Sequence, residues 1–282
     1  MNGRRQMKRY GLDFIHDRII ISGLTEKEGA FLAEAPIAIP LSELRHSEWD
    51  PAATVCFSIP EEHAIIKRVR IPASQNMNAD ELARFEMAAS LLDSPDRFHM
   101  ESYGANGTHE RLVVAYDRRG IDEKLSLLEG YLSGSPCFRL RSLALAVGYM
   151  KYCRYSENGL ICLADISANR LSYCFIREGH PVLAGGFKFG ESTGEKVLSS
   201  ASFFDLVAVL KYQMAMISVS SGRVSSLIIS GESADADLAS HIEQHIQIKI
   251  SLPELKKELF LDQPDTRISK YLVGLGLTAC IK

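Results

Sequence analysis

Apolar and polar positions along this chain fall into runs of two periods, and the succession of runs repeats. The stretch GLICLADISANRLSYCFIREGHPVLAGGFKFG holds three β-rich runs, at residues 160–166, 170–177 and 181–187. Ser167-Ala168-Asn169 and Glu178-Gly179-His180 link them. Asn and Gly accept the positive φ of tight hairpin turns, so an antiparallel meander is predicted. Asp165 stands at the end of the first run, which sets a carboxylate at the mouth of a sheet. A phosphate or a metal-bound water would be met there. The chain opens on the same layout, with Arg9-Tyr10-Gly11-Leu12-Asp13 followed by runs at 18–24 and 31–40. Two meanders, each with an Asp closing its first strand, predict an internally duplicated architecture.

Between them the pattern changes. Residues 53–135 read as a compact α/β unit ordered strand, strand, helix, strand, strand, helix. Its first strands are 54–59 and 64–71, and in the second Ile66, Val69 and Ile71 alternate with Lys67, Arg68 and Arg70. That is the period of a half-solvated strand, so these cations read as an exposed face rather than a nucleic-acid patch. Asn78 or Asp80 can cap a helix over 81–92, which Asp93-Ser94-Pro95 stops. Strands at 99–103 and 111–116 flank an Asn106-Gly107 turn, and a helix covers 121–132. A short helix is expected at 41–49, a strand at 137–140 and a helix at 142–152. Beyond the second meander come a helix at 196–219, a strand at 223–230, a helix at 235–245, a strand at 246–250 and a closing helix at 270–280. The apolar stripe of the 196–219 helix is wide enough to mean core or a partner interface.

Composition narrows the reading. With 282 residues the chain can bury a sizeable core in two domains. A net charge of −3 gives no general drive toward nucleic acid or anionic membrane. The six cysteines are scattered without a CxxC pair, so reduced, buried thiols are expected. Residues 1–8 are polar and basic and read as a flexible tail. No apolar signal-peptide core follows them, and Asp205 and Lys211 interrupt the best candidate for a membrane span. A cytoplasmic protein is the expectation. His241 and His245 share a helix face, but Ile242 replaces the Glu of the metalloprotease motif and no third ligand is in view, so no metal site is expected. The serines lack a nucleophile-elbow context. Gly185 and Gly186, and Gly274 and Gly276 in the closing helix, read as positions of close packing.

The two Asp-bearing meanders resemble the actin-like superfamily of actin, Hsp70 and the sugar kinases. Within it, IIKRVRIPASQNMNADELARFEMAASLL, RLVVAYDRRGIDEKLSLLEG and the closing YLVGLGLTACI resemble the PilM/FtsA family, PilM being the type IV pilus assembly component. The resemblance implies an α/β, actin-like (ribonuclease H-like) duplicated fold with an inserted small α/β subdomain. It divides the chain into a first actin-like subdomain (9–52 and 136–158), the insert (53–135) and a second actin-like subdomain (159–282). The outer part of the second is reduced, because only residues 191–205 are left for a wall of the nucleotide cleft.

Actin-like ATPases hold Mg-ATP between two hairpin loops, each an Asp followed by Gly and small hydroxyl residues. By resemblance Asp13 and Asp165 would be catalytic if the protein is active. Gly11, Asp13, Asp165, Ser167, Ser230 and Gly231 would contact the nucleotide. The loops depart from the pattern: Ile15, His16 and Asp17 follow Asp13, Ser167 replaces a Gly, Arg170 falls where a Thr is usual, and Glu232 replaces the second Gly of the adenosine motif. A carboxylate beside phosphates disfavours binding unless a metal screens it. The resemblance therefore implies a scaffold without bound cofactor in a type IV pilus or related secretion system. It would be held at the inner membrane by gripping the cytoplasmic peptide of a PilN-like partner. The alternatives are an active Mg-dependent ATPase and a self-assembling filament protein, for which the 203–217 helix would form the homo-oligomer interface.

Overall fold

The computed structural model describes residues 8–15, 17–27, 30–46, 53–71, 78–104, 109–130, 135–154, 159–189, 198–256, 259–261 and 270–281. His16, Gly190, the Asn106-Gly107 turn and all but the last residue of the expected tail lie outside them.

The first half runs β1 (Lys8–Ile15), β2 (Arg18–Lys27), β3 (Ala30–Ala33), β4 (Ile37–Pro40), a 3₁₀ turn (Leu41–His46) and β5 (Thr54–Ile59). A second 3₁₀ turn (Glu61–His63) leads into β6 (Ala64–Arg70), α1 (Ala79–Ala89), β7 (Phe98–Tyr103), β8 (Glu110–Asp117), α2 (Arg118–Leu128), β9 (Cys137–Leu140) and α3 (Arg141–Tyr152). The second half runs β10 (Leu160–Ser167), β11 (Arg170–Arg177), β12 (His180–Lys188), α4 (Ser200–Ser221) and β13 (Val224–Ser230). It closes with α5 (Ala236–Ile246), β14 (Lys249–Ser251), β15 (Leu259–Leu261) and α6 (Leu272–Ala279). Local chemistry sets many of the ends. Asn78 caps α1 by accepting from the Asp80 N–H, Asp117 caps α2, and Asp235 caps α5 by accepting from the Leu238 N–H at 2.8 Å.

Three sheets form. The first has the order β15-β3-β2-β1-β5-β9, with β4 also on β2, and the second the order β12-β11-β10-β13-β14. Each therefore contains an antiparallel meander whose first strand is flanked by two further parallel strands. Asp13 and Asp165 are each the sixth residue of that first strand. The duplication expected from the two meanders is present in the topology.

Helices α3 and α6 lie against each other between the two sheets, with α6 on β1, β2 and β5, and α3 on β10, β11 and β12. Glycine makes this seam possible. A Cβ on Gly276 would come 1.7 Å from the Ala144 carbonyl oxygen, and one on Gly11 would come 2.1 Å from that of Gly274. The core of this central layer takes residues from both halves, including Leu12, Phe57, Leu143, Leu163, Ile176 and Leu275. A second core lies under α4 and α5, around Phe175, Leu206 and Ile229.

The boundaries differ in three places from the sequence reading. β5 sits between β1 and β9 in the first sheet, so the small sheet β6-β8-β7 begins at Ala64. The reason lies in burial: β5 is covered on both faces, as a strand inside a parallel arrangement must be, whereas β6 alternates. The chain after β14 also returns to the first half, where β15 adds to β3 and α6 packs on β1. α4 starts at Ser200, capped by the Ser199 hydroxyl, rather than at residue 196.

Candidate functional site

The two strand ends that carry Asp13 and Asp165 face each other at the seam between the sheets, and both carboxylates are buried. Arg141 lies between them. Its Nε donates to both oxygens of Asp13, at 3.0 and 3.2 Å, and its Nη2 donates to Asp165 Oδ1 at 2.6 Å. Its Nη1 donates to Ser172 Oγ at 3.0 Å. The Ser172 hydroxyl in turn donates to Glu61 Oε2 at 3.0 Å, and Glu61 Oε1 accepts from the Ser142 N–H at 2.8 Å. Ser230 Oγ donates to Asp165 Oδ2 at 3.1 Å. The guanidinium thus holds residues from β1, β10 and β11 at once, and its side chain is 2% exposed.

Local structure explains the positions. Arg141 is the first residue of α3, a site where the helix dipole disfavours a cation by about 0.3–1 kcal/mol unless anions surround it. Leu140 offers no side-chain cap, and Glu61 supplies the missing acceptor from the preceding 3₁₀ turn. Glycine admits that carboxylate: a Cβ on Gly186 would lie 2.8 Å from Glu61 Oε2. Ser58 on β5 accepts from the Phe14 N–H at 3.0 Å.

Burial shifts the charges of this cluster. It pushes the Glu61 carboxyl up, against the pull of Arg141 and Arg170. It likewise pushes Asp165 up, against the pull of Arg141 and with a further push from Asp13. Burial opposes the charge on Arg141, but Asp13 and Asp165 outweigh it and hold the guanidinium above its ordinary value. A hydrogen-bonded ion cluster of this kind stays charged only while every partner is present.

The residues expected to contact a nucleotide are distributed as follows. Asp13, Asp165, Ser167 and Gly231 line one cavity with Ile15, Arg141 and Glu232, and its volume is about 10 Å³. That is room for roughly one water. Ser167 closes the β10–β11 turn through a 3.4 Å bond to the Arg170 carbonyl, and Ser230 is committed to Asp165. Gly231 has φ of +102°, and a Cβ there would lie 2.4 Å from the Ile166 carbonyl oxygen. Gly11 is used by the α6 contact described above. Arg170 reaches Glu62 at 2.8 Å, and Glu232 pairs with Arg18 at 3.1 Å across the seam. Asp17 stands exposed in the turn, where its carbonyl accepts from the Leu41 N–H.

Sequence reasoning passed over Arg141, Glu61 and Ser172. The arginine at a helix N-terminus was the one usable signal, because that position calls for anions nearby. A larger cavity of about 620 Å³ lies beside α4 and α5, lined by Phe203, Phe204, Leu238, His241 and His245 among others. His245 stacks edge-on to Phe203 with 5.4 Å between centroids, and its Nδ1 lies 2.8 Å from the His241 carbonyl oxygen. No cluster of three metal-ligating side chains occurs among the described residues.

Solved structures place this architecture. The chain is similar to a protein of the "PilM-PilN type IV pilus biogenesis complex", with a TM-score of 0.72, 11% identity and 99% of each chain covered. A Bacteroides thetaiotaomicron protein described as having an actin-like ATPase fold matches with a TM-score of 0.52, 11% identity and 95% of each chain. The fold is actin-like. The cytoplasmic domain of EpsL, an inner-membrane component of the type II secretion system of Vibrio cholerae, is a further actin-like neighbour, with a TM-score of 0.54, 11% identity and 98% and 95% coverage. No protein-family model matches the chain, and no curated protein matches it in sequence. In this actin-like fold Arg141 lies between the two Asp-bearing hairpins, bonded to both carboxylates.

Proposed function

We propose that this protein is a scaffold of a type IV pilus or related secretion assembly complex, and that it works without nucleotide. The observation that carries the reading is Arg141, whose guanidinium neutralises Asp13 and Asp165 in place of a bound cation. The cleft holds no volume for a triphosphate, and Glu232 puts a further carboxylate at its mouth. The two carboxylates are then structural: they anchor α3 and join the two halves of the actin-like fold into one body. A fixed body suits a platform better than a nucleotide-gated switch, which needs two lobe arrangements of similar free energy.

The partner in this reading is the cytoplasmic peptide of a PilN-like inner-membrane protein, which would hold the scaffold on the cytoplasmic face of that membrane. A groove of about 430 Å³ beside α2, lined by Asp122, Leu125, Ser126, Leu128, Glu129 and Pro136, is where we place that peptide. Apolar positions flanked by Asp122 and Glu129 suit an extended segment with aliphatic anchors and a basic residue.

Calorimetric titration with ATP and magnesium tests the first half of the proposal. No heat of binding is expected, and micromolar affinity would overturn it in favour of a nucleotide-gated role. Fluorescence anisotropy with the partner's cytoplasmic peptide tests the second half. Binding that Leu125→Glu weakens is expected; binding untouched by that change would move the site elsewhere.

A further inference from the structure

Three cysteines far apart in the chain meet at the C-terminal end of α6. Gly11, Cys56 and Cys137 are register partners across β1, β5 and β9, so the three positions form one row on one face of the first sheet. α6 covers that face, since the Gly274 carbonyl approaches Gly11. Phe57 and Phe138, one residue further along β5 and β9, meet on the opposite face with 5.9 Å between centroids. Cys280 is the C-cap of α6. Its thiol interacts with that of Cys56, which also interacts with Cys137. Cys56 is buried, whereas Cys137 and Cys280 are half-buried and within reach of a small solute.

Arg139 distinguishes the two outer thiols. It lies two residues beyond Cys137 on β9, and its side chain reaches the Cys280 sulfur, while Cys137 feels its charge only at a distance. Arg139 Nη1 donates to Glu101 Oε2 at 3.0 Å, and Nε is buried without an oxygen partner. A thiolate at Cys280 is an acceptor that such a guanidinium can use. The negative end of the α6 dipole opposes that thiolate, but a hydrogen bond to a charged group is the larger effect.

We propose that Cys280 and Cys56 form a redox-responsive pair, in which a hydroperoxide oxidises Cys280 and Cys56 then closes a reversible disulfide. The Cys280 thiolate attacks one oxygen of the hydroperoxide: an S–O bond forms, the O–O bond breaks, and the leaving alkoxide takes a proton from water. Cys280 is then a sulfenic acid, oxidised by two electrons. The Cys56 sulfur attacks the Cys280 sulfur: an S–S bond forms, the S–O bond breaks, and the departing hydroxide takes the Cys56 proton and leaves as water. Two thiols and one hydroperoxide give one disulfide, one alcohol and one water. Contact with Cys137 and Cys280, and then burial, hold Cys56 as the protonated thiol until that step. Glu101 places a negative charge beside Arg139, so a small neutral oxidant is favoured over an anionic one. The bond fastens the closing helix to β5 and leaves Cys137 free.

The test treats the full chain with hydrogen peroxide at neutral pH, blocks the remaining thiols by alkylation and maps the cysteines by non-reducing peptide mass spectrometry. A peptide pair joined through Cys56 and Cys280 is expected, lighter by two hydrogens and separated by dithiothreitol. The oxidised protein should melt at a higher temperature than the reduced protein, because the cross-link restricts the unfolded chain. Cys56→Ala should halt the reaction at Cys280, where dimedone traps the sulfenic acid. Cys137→Ala should leave the Cys56–Cys280 bond unchanged. Arg139→Gln should slow loss of the Cys280 thiol by about tenfold at neutral pH and move its rate–pH profile upward. Should a variant fold poorly, the time course of the parent decides: Cys280 is the first thiol lost and Cys56 the second. Oxidation that reaches Cys153 or Cys162 as fast as Cys280, a bond between Cys56 and Cys137 or between two copies instead, or a link that forms only in urea would each overturn the proposal.

Discussion

Arg141→Ala is the sharpest test of the closed cleft. The substitution removes three side-chain hydrogen-bonding contacts to Asp13 and Asp165 and one to Ser172, and leaves two buried carboxylates facing each other. Removing one partner from a buried ion cluster costs about 3–5 kcal/mol, far more than the net contribution of the pair itself, because the remaining charges are stranded. Urea denaturation followed by circular dichroism should show a loss of that size at neutral pH. The loss should shrink as the pH falls. Burial already pushes the Asp165 carboxyl up against the pull of Arg141, and without the guanidinium that opposition is gone, so the destabilisation is absent at low pH and grows as the pH rises through the folded-state value of Asp165. Adding Asp165→Asn to Arg141→Ala should recover part of the loss, since only one stranded charge then remains. A loss below about 1 kcal/mol, the scale of an exposed pair, or a loss of constant size from acid to neutral pH would refute the reasoning.

Further outcomes follow from the same contacts. Arg141→Ala also frees Asp13 and Asp165 for a divalent cation, so magnesium should raise the urea midpoint of this variant and leave the parent unchanged. Glu61, pushed up by burial, favours the folded state most below its unfolded pKa and loses that contribution as the pH rises through its folded value. Glu61→Gln should therefore compare progressively better with the parent as the pH is raised in a series of thermal melts. Gly276→Ala would drive a methyl into the Ala144 carbonyl and separate α3 from α6, so loss of soluble folded protein on expression is the expected outcome. Gly231→Ala, at φ of +102° and against the Ile166 backbone, should cost about 1–3 kcal/mol in a denaturant series. Cys56 and then Arg139 draw the Cys280 thiol down against its burial, whereas burial pushes Cys153 up to about 12. Brief alkylation near neutral pH, mapped by mass spectrometry, should mark Cys280 before Cys153.

Much of the fold is written in short-range pattern. Strand periodicity at 160–187 determined the second meander, because alternation, turn residues and short hairpin links all act within a few positions. The Asn78 cap, the glycines of the closing helix and the paired Asp13 and Asp165 were legible for the same reason. Sheet membership was less so. β5 and β6 are consecutive in the chain yet belong to different sheets, and only the burial of Val55, Phe57 and Ile59 on one face together with Cys56 and Ser58 on the other separates them. The site depended on long-range assembly. Arg141 meets Asp13 across 128 positions and Asp165 across 24, and Glu61 meets Ser172 across 111. No local rule joins such residues, since a guanidinium has five donors and finds its acceptors wherever packing of α3 between two sheets delivers them. The sequence by itself determined two carboxylates at two duplicated strand ends; the tertiary structure decided that an arginine of the same chain would lie between them, because desolvating both carboxylates at the seam demanded a buried counter-charge.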